Sequence, residues 1–299
     1  MEQIPLFAAP GEAPANGTFL IGGDLPVHRL GYGTMRLVGE GTWGEPGDPE
    51  EARQVLRRAV ELGVTLLDTA DAYGPEIAER LIAEALHPYP TGLVIATKGG
   101  ITRQGPARTE YVGRAGYLIQ CVEMSLRRLR LECIDLYQLH RIDPRTSLDE
   151  SLGALRQMQD QGKIRHIGLS EVTPYQIDQA RRIVDVATVQ NRYSLADQRH
   201  ADALEYCQTR DIGFIPWYPL AAGKLLRPDY APATKLARIA ARHQATVAQL
   251  SLAWLLHRSP VMLPIPGTSK VAHLEENMAA ARLKLSAEDV AEIEAAVKP

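Results

Sequence analysis

Residues 134–190 read IDLYQLHRIDPRTSLDESLGALRQMQDQGKIRHIGLSEVTPYQIDQARRIVDVATVQ, and the way this stretch alternates decides the fold. Short runs of apolar and β-branched residues stand at 134–140, 164–170 and 186–190. Segments of helical period, 147–161 and 173–183, fill the intervals; Ser147 opens the first and Thr173-Pro174 the second, residue types that suit a helix N-terminus. A strand, a crossover helix and another strand make a parallel pair, and such crossovers are right-handed almost without exception. Two of these units follow one another here.

The same alternation continues on both sides. Further candidate strands lie at 30–34, 64–68, 93–98, 213–217 and 261–266, which makes eight with the three above. Helical stretches are expected at 49–62, 75–86, 116–129 and 201–210; in the first, Val55, Leu56, Ala59, Val60 and Leu62 form an apolar stripe flanked by charge. Two more, 235–243 and 247–257, separate the last two strands, and a terminal helix spans 286–297. Eight such units can close as a barrel or spread as a doubly wound sheet, and the pattern favours the α/β class in its (β/α)8 TIM-barrel form. Residues 18–27, with Gly22-Gly23-Asp24 at their centre, read as an N-terminal β-hairpin placed to plug one end of the barrel. Residues 1–17, rich in Ala, Pro and Gly, are expected to be loosely ordered. No linker divides the chain, so one barrel domain over 1–299 is expected.

With 299 residues, 45% hydrophobic and 23% charged, the chain has a globular enzyme's make-up, and disordered and fibrous classes drop out. A formal net charge of -3 offers no basic footprint for nucleic acid or an anionic membrane. The longest apolar runs, such as 64–67 and 93–96, fall far short of the roughly 20 residues needed to span a bilayer. No basic region precedes an apolar stretch at the N-terminus, so no secretory signal is read and a cytoplasmic location is expected. Without such a signal, Asn16-Gly17-Thr18 is a chance glycosylation match. Cys121, Cys133 and Cys207 are odd in number and widely spaced, which suits three packing residues in a reduced chain better than disulfides or a metal site.

A barrel of this kind carries its active site where its strands end, so the strand-closing residues can be read off directly. They are Asp68, Lys98, His140, Ser170, Gln190 and Trp217. Singly, each has an ordinary explanation: a helix cap, a solvated strand end, a satisfied core histidine. Together they do not, because desolvating an acid, a lysine and a histidine at one rim is costly unless they pair and act. Tyr73, five residues past Asp68, joins them through its phenol. A neighbouring Lys98 ammonium is expected to draw that phenol down towards neutrality from its ordinary value near 10. Asp68 would hold Lys98 protonated, and His140 would hydrogen-bond the substrate oxygen beside the phenol.

LDTADAYG (67–74), ATKGG (96–100), DLYQLH (135–140), GKIRHIGLS (162–170), VQNRYS (189–194) and IPGTSKVAHLEEN (265–277), in this order, resemble the aldo-keto reductase superfamily across nearly the whole chain. The resemblance implies a barrel that binds NADPH in extended form and reduces an aldehyde or ketone. The implied catalytic tetrad is Asp68, Tyr73, Lys98 and His140. The implied cofactor contacts are Gly33 and Thr34 beside the first strand, Asp68 at the end of the second, Ser170 and Gln190 at the nicotinamide amide, and Trp217, Tyr218, Pro219 and Leu220 against the ring. At the adenosine end with its 2'-phosphate they are Gly267, Thr268, Ser269, Lys270, His273, Glu276 and Asn277. Glu171 departs from the family pattern: many members carry Asn there, and a carboxylate cannot donate to the amide oxygen. Arg36 stands where a dinucleotide-binding G-x-G-x-x-G would need its third glycine, which argues against that other cofactor fold.

The substrate wall is expected from Tyr73, His140, Met35 and Trp43, with Arg36 a further anion contact. RLGYGTMRLVGEGTWG (29–44) and GLSEVTP (168–174) are most similar to bacterial pyridoxal reductase-like members, so pyridoxal or a small aromatic aldehyde is the expected substrate. The expected assembly is a monomer or weak homo-oligomer. Two rival readings stay open: an NADPH-binding regulatory subunit with slow turnover, and a lyase that forms a Schiff base on Lys98.

Overall fold

The expected strands are largely buried on both faces, as parallel strands are, and the computed structural model, which describes residues 17–227 and 231–298, curls seven of the eight into one sheet. Its strands are β3 Tyr32–Gly33, β4 Leu66–Asp68, β5 Val94–Gly99, β8 Ile134–Leu139, β9 Ile164–Ser170, β10 Val186–Arg192 and β11 Gly213–Trp217. All neighbouring pairs are parallel, in the order β11-β10-β9-β8-β5-β4-β3. Residues 261–266, expected as the eighth strand, close the ring without a regular ladder. On one side Phe214 N donates to Val261 O and Leu263 N to Phe214 O, both at 2.8 Å; on the other Gly31 N donates to Pro264 O at 2.9 Å and Gly33 N to Pro266 O at 3.4 Å. Pro264 and Pro266 have no N–H to return, so these residues accept where a strand would also donate.

The helices pack outside in the order expected of βα repetition: α1 Pro49–Glu61, α2 Ile77–Leu86, α3 Ala115–Leu129, α4 Leu148–Asp160, α5 Pro174–Ala180 and α6 Ala201–Gln208. Then come α7 Ala233–Arg242, α8 Val247–Arg258, α9 Val271–Ala279 and α10 Ala287–Val297. Local chemistry sets their starts. Asp48, Ser147, Thr173, Thr246 and Ser286 each accept a backbone N–H three residues on, and the last three complete reciprocal capping boxes. No helix among the described residues is long and apolar enough to cross a membrane.

The hairpin β1 Thr18–Ile21 with β2 Leu25–His28 forms where the Gly22-Gly23 turn was read. Its Ile21, Leu25 and Val27 share a buried cluster with Leu66, Val94, Leu136, Ile215, Leu263 and Ile265 from inside the ring, so it stoppers the end opposite the polar strand termini. A second hairpin, β6 Ile101–Gly105 with β7 Arg108–Tyr111, stands over those termini. The expectation for residues 1–17 falls, for 1–16, outside the described residues. Cys121 and Cys207 are buried as expected, whereas Cys133 is exposed just before β8, correcting its reading as a packing residue.

Candidate active site

At the open end of the barrel the strand-closing residues meet. Lys98 and Asp68 are 0% and 2% exposed, and Lys98 Nζ donates to Asp68 Oδ2 at 2.7 Å, to Thr69 O at 2.8 Å and to Tyr73 Oη at 3.4 Å. The other carboxylate oxygen of Asp68 accepts from Gln190 Nε2 at 2.7 Å and Gln138 Nε2 at 3.2 Å, so neither oxygen is left bare in the interior. The His140 ring meets Tyr73 edge-on, centroids 6.0 Å apart. The four residues expected as a tetrad therefore form one contiguous group.

Electrostatics assigns a protonation state to Lys98, Tyr73 and His140. Burial works against the Lys98 ammonium, but Asp68 and then Tyr73 outweigh it and hold its pKa above the ordinary value. Burial also lifts the Tyr73 phenol above its usual range; Lys98 pulls it down and Asp68 pushes it back up. This corrects the expectation of a phenol drawn towards neutrality: desolvation of the phenolate wins, and Tyr73 is a protonated acid at neutral pH. His140 is held well below 6.5, chiefly by burial, with Lys98, Arg141 and Arg103 adding to the effect. It is thus a neutral imidazole, and its Nδ1 is buried with no hydrogen-bond partner.

Above the group lies a cavity of about 180 Å³ whose lining includes Met35, Tyr73, His140, Ser170, Gln190 and Trp217. Its outer wall is Ile101, Arg103, Thr109 and Tyr111 from the β6–β7 hairpin, with Arg141 beside His140; none of these was singled out in the sequence. The Gly105-Pro106 pair at the hairpin's tip is the one turn signal the sequence offers there. Trp43 pairs through its backbone with Gly74, is 37% exposed and does not line this cavity, contrary to its expected place in the substrate wall.

A groove of about 450 Å³ adjoins the cavity, sharing Met35 and Thr42 with it, and runs past Arg36, Gly39, Gly41 and Tyr218 to Gly267, Thr268 and Ser269. Gly267 is required there: a Cβ would lie 2.7 Å from Gly33 O, where the closing segment crosses β3. The Gly267–Lys270 stretch leads directly into α9, a helix the sequence reading did not identify, so the first-turn N–H groups of that helix border the groove's end. Lys270 Nζ is 2.6 Å from Glu51 Oε2, and its side chain is 57% exposed. His273 is exposed, Asn277 is buried, and Glu276 accepts from Thr246 Oγ1 at 2.7 Å at the α8 cap.

Glu171 has a clear structural task. It sits in the left-handed region at φ 56°, and its Oε1 accepts from Trp217 Nε1 at 2.6 Å and Arg192 N at 2.7 Å, orienting the indole. Ser170 Oγ accepts from Arg141 Nη1 at 2.8 Å, and Thr34 Oγ1 donates to Asp68 O at 3.1 Å.

Comparison with known proteins gives the family. The Aldo/keto reductase family model matches residues 29–298. Pyridoxine 4-dehydrogenase of Escherichia coli is 41% identical over 280 residues, covering 92% of this chain and 96% of its own. An uncharacterised oxidoreductase of Schizosaccharomyces pombe is 47% identical, covering 95% and 90%. Among solved structures, an aldo-keto reductase from Klebsiella pneumoniae in complex with NADPH superposes with TM-score 0.79 at 27% identity, covering 93% and 94%. On motif, fold and site together, the chain belongs to the aldo/keto reductase family.

Proposed function

We propose that the chain is an NADPH-dependent oxidoreductase that reduces an aldehyde or ketone to the alcohol, with Tyr73 delivering the proton. The observation that carries this reading is the buried Lys98 Nζ, 2.7 Å from Asp68 and 3.4 Å from the Oη of Tyr73, which lines a cavity with room for a small carbonyl compound.

The residues present fit the cofactor. The groove is paved with glycine and hydroxyl groups, opens onto the Tyr73 cavity and ends at a helix N-terminus with a nearby lysine, the donor set that suits a phosphorylated dinucleotide. Gly33, Thr34, Ser170 and Gln190 would flank its nicotinamide half, Trp217 to Leu220 its ring, and Gly267 to Lys270 with His273 and Asn277 its adenosine end. When bound, NADPH supplies the hydride to the carbonyl carbon.

The chain's own residues do the rest. Tyr73 and the neutral His140 receive the carbonyl oxygen, and the phenol gives up its proton as negative charge grows there. Lys98 stabilises the phenolate left behind, and Asp68, held by two glutamine amides, keeps Lys98 charged. That charge weighs against a Schiff-base lyase, which needs a neutral lysine amine. The resemblance to pyridoxine 4-dehydrogenase supports pyridoxal among the substrates, since oxidation of pyridoxine at that carbinol and reduction of the aldehyde are one reaction in two directions.

The test is NADPH absorbance followed against pyridoxal and against simple aromatic and aliphatic aldehydes. Steady-state turnover is expected. Tight NADPH binding without it would point instead to a slow regulatory subunit, and turnover of simple aldehydes with none of pyridoxal would remove that substrate.

A further inference from the structure

The cavity above Tyr73 is unevenly charged. Arg103 and Arg141 are its charged lining residues once His140 is neutral, and no carboxylate among the described residues lines it. Arg103 leans from β6 across the mouth and donates from Nη2 to Gly41 O and, at 2.9 Å, to Thr42 O, while its Nε is buried with no partner. Arg141 donates from Nη1 to His140 O at 2.6 Å and Ser170 Oγ at 2.8 Å, and lies over Trp217 at 5.9 Å. Every one of these acceptors is neutral. Nearby arginines are different: Arg145 pairs with Asp143 and Glu110, and Arg192 with Asp197. Two strand-end carboxylates beside the mouth are already engaged, Asp68 by Lys98 and Glu171 by Trp217 and the Arg192 amide.

Two half-buried guanidinium groups facing one small cavity without a counter-ion are costly to keep, and an incoming anion would remove that cost. On the carbonyl-reductase reading above, we propose that the physiological substrate carries a compact anionic group, a carboxylate or a phosphate, which Arg103 and Arg141 receive while Tyr73 and His140 hold the carbonyl. A guanidinium presents five N–H donors in a planar fork that matches such an anion, and both arginines have donors not used by the protein. The anion is a spectator: the carbonyl carbon gains the hydride, the oxygen gains the Tyr73 proton, and the carboxylate or phosphate leaves unchanged.

The experiment compares kcat/KM with NADPH for 4-carboxybenzaldehyde and 4-formylphenyl phosphate against the neutral methyl 4-formylbenzoate. At least one anion should exceed the ester by about tenfold, equivalent to about 1.4 kcal/mol. The winning anion identifies which of the two groups fits. Arg103→Met and Arg141→Met should bring the ratio towards one through KM, and Arg141→Lys should keep part of it. Equal turnover of all three aldehydes by the unaltered enzyme would defeat the anion assignment and leave the reductase reading standing, whereas no turnover of any would defeat both. NADPH affinity, read by tryptophan fluorescence, separates the last alternative: variants that lose NADPH tenfold while keeping the anion ratio would show that the guanidinium groups serve the cofactor.

Discussion

Two lysine–carboxylate pairs in this protein have nearly the same length and opposite characters. Lys98 and Asp68 meet at 2.7 Å with side chains 0% and 2% exposed; Lys270 and Glu51 meet at 2.6 Å with side chains 57% and 30% exposed. Distance does not distinguish them, but surroundings do. In the interior no water can take the place of a lost partner, so the first pair is a fixed element that also sets the charge beside Tyr73. At the rim, water and salt compete for both groups, the pair contributes little, and a phosphate can displace Glu51 from Lys270.

The contrast can be broken at each end. The largest effect is expected from Tyr73→Phe, which leaves the buried pair in place and removes the proton: kcat should fall by about 10²–10⁴-fold with NADPH affinity nearly unchanged. An unaltered kcat would show that some other group is the acid. Asp68→Asn should cost about 3–5 kcal/mol of stability, seen as a drop in denaturation midpoint, because it strands the Lys98 ammonium. A loss below 1 kcal/mol would mean that the interior pair behaves like a surface one.

At the exposed pair, Lys270→Met should raise the Kd for NADPH about tenfold while sparing NADH, the expected value of one charge-assisted phosphate contact. Equal losses for the two cofactors would exclude a role at the 2'-phosphate. Glu51→Gln should be the mildest, changing stability by less than about 1 kcal/mol and tightening NADPH slightly, since a competitor for Lys270 is removed. The rate of reduction should also hold steady through neutral and mildly alkaline pH and fall only as pH passes the raised phenol pKa, where Tyr73 loses its proton. A decline centred near pH 7 would revive the acidified phenol of the sequence reading.

Much of this is legible in the sequence alone. Short apolar strands alternating with capped amphipathic helices announced the barrel, and the polar residues closing those strands announced the site, because inward-facing residues at the C-terminal strand ends of a barrel border its mouth. Other features were not legible. The β6–β7 hairpin that walls the cavity is half exposed and lacks an apolar run, so no period marked it. Trp43 has the residue type of a substrate wall, yet it pairs through its backbone with Gly74 and is not among the residues lining the cavity. Residues 261–266 were read as a strand from their apolar content, yet their prolines prevent a regular ladder.

By itself the sequence determined which elements form and which chemical groups come to their ends, since capping, periodicity and residue type act over a few neighbours. The tertiary structure decided the protonation of Tyr73 and His140, the task of Glu171 and the unpaired charge of Arg103 and Arg141. These depend on burial and on partners far away along the chain, 25 residues for Lys98 and Tyr73 and 122 for Gln190 and Asp68. Desolvation is a property of the folded surroundings, and no local pattern of residues encodes it.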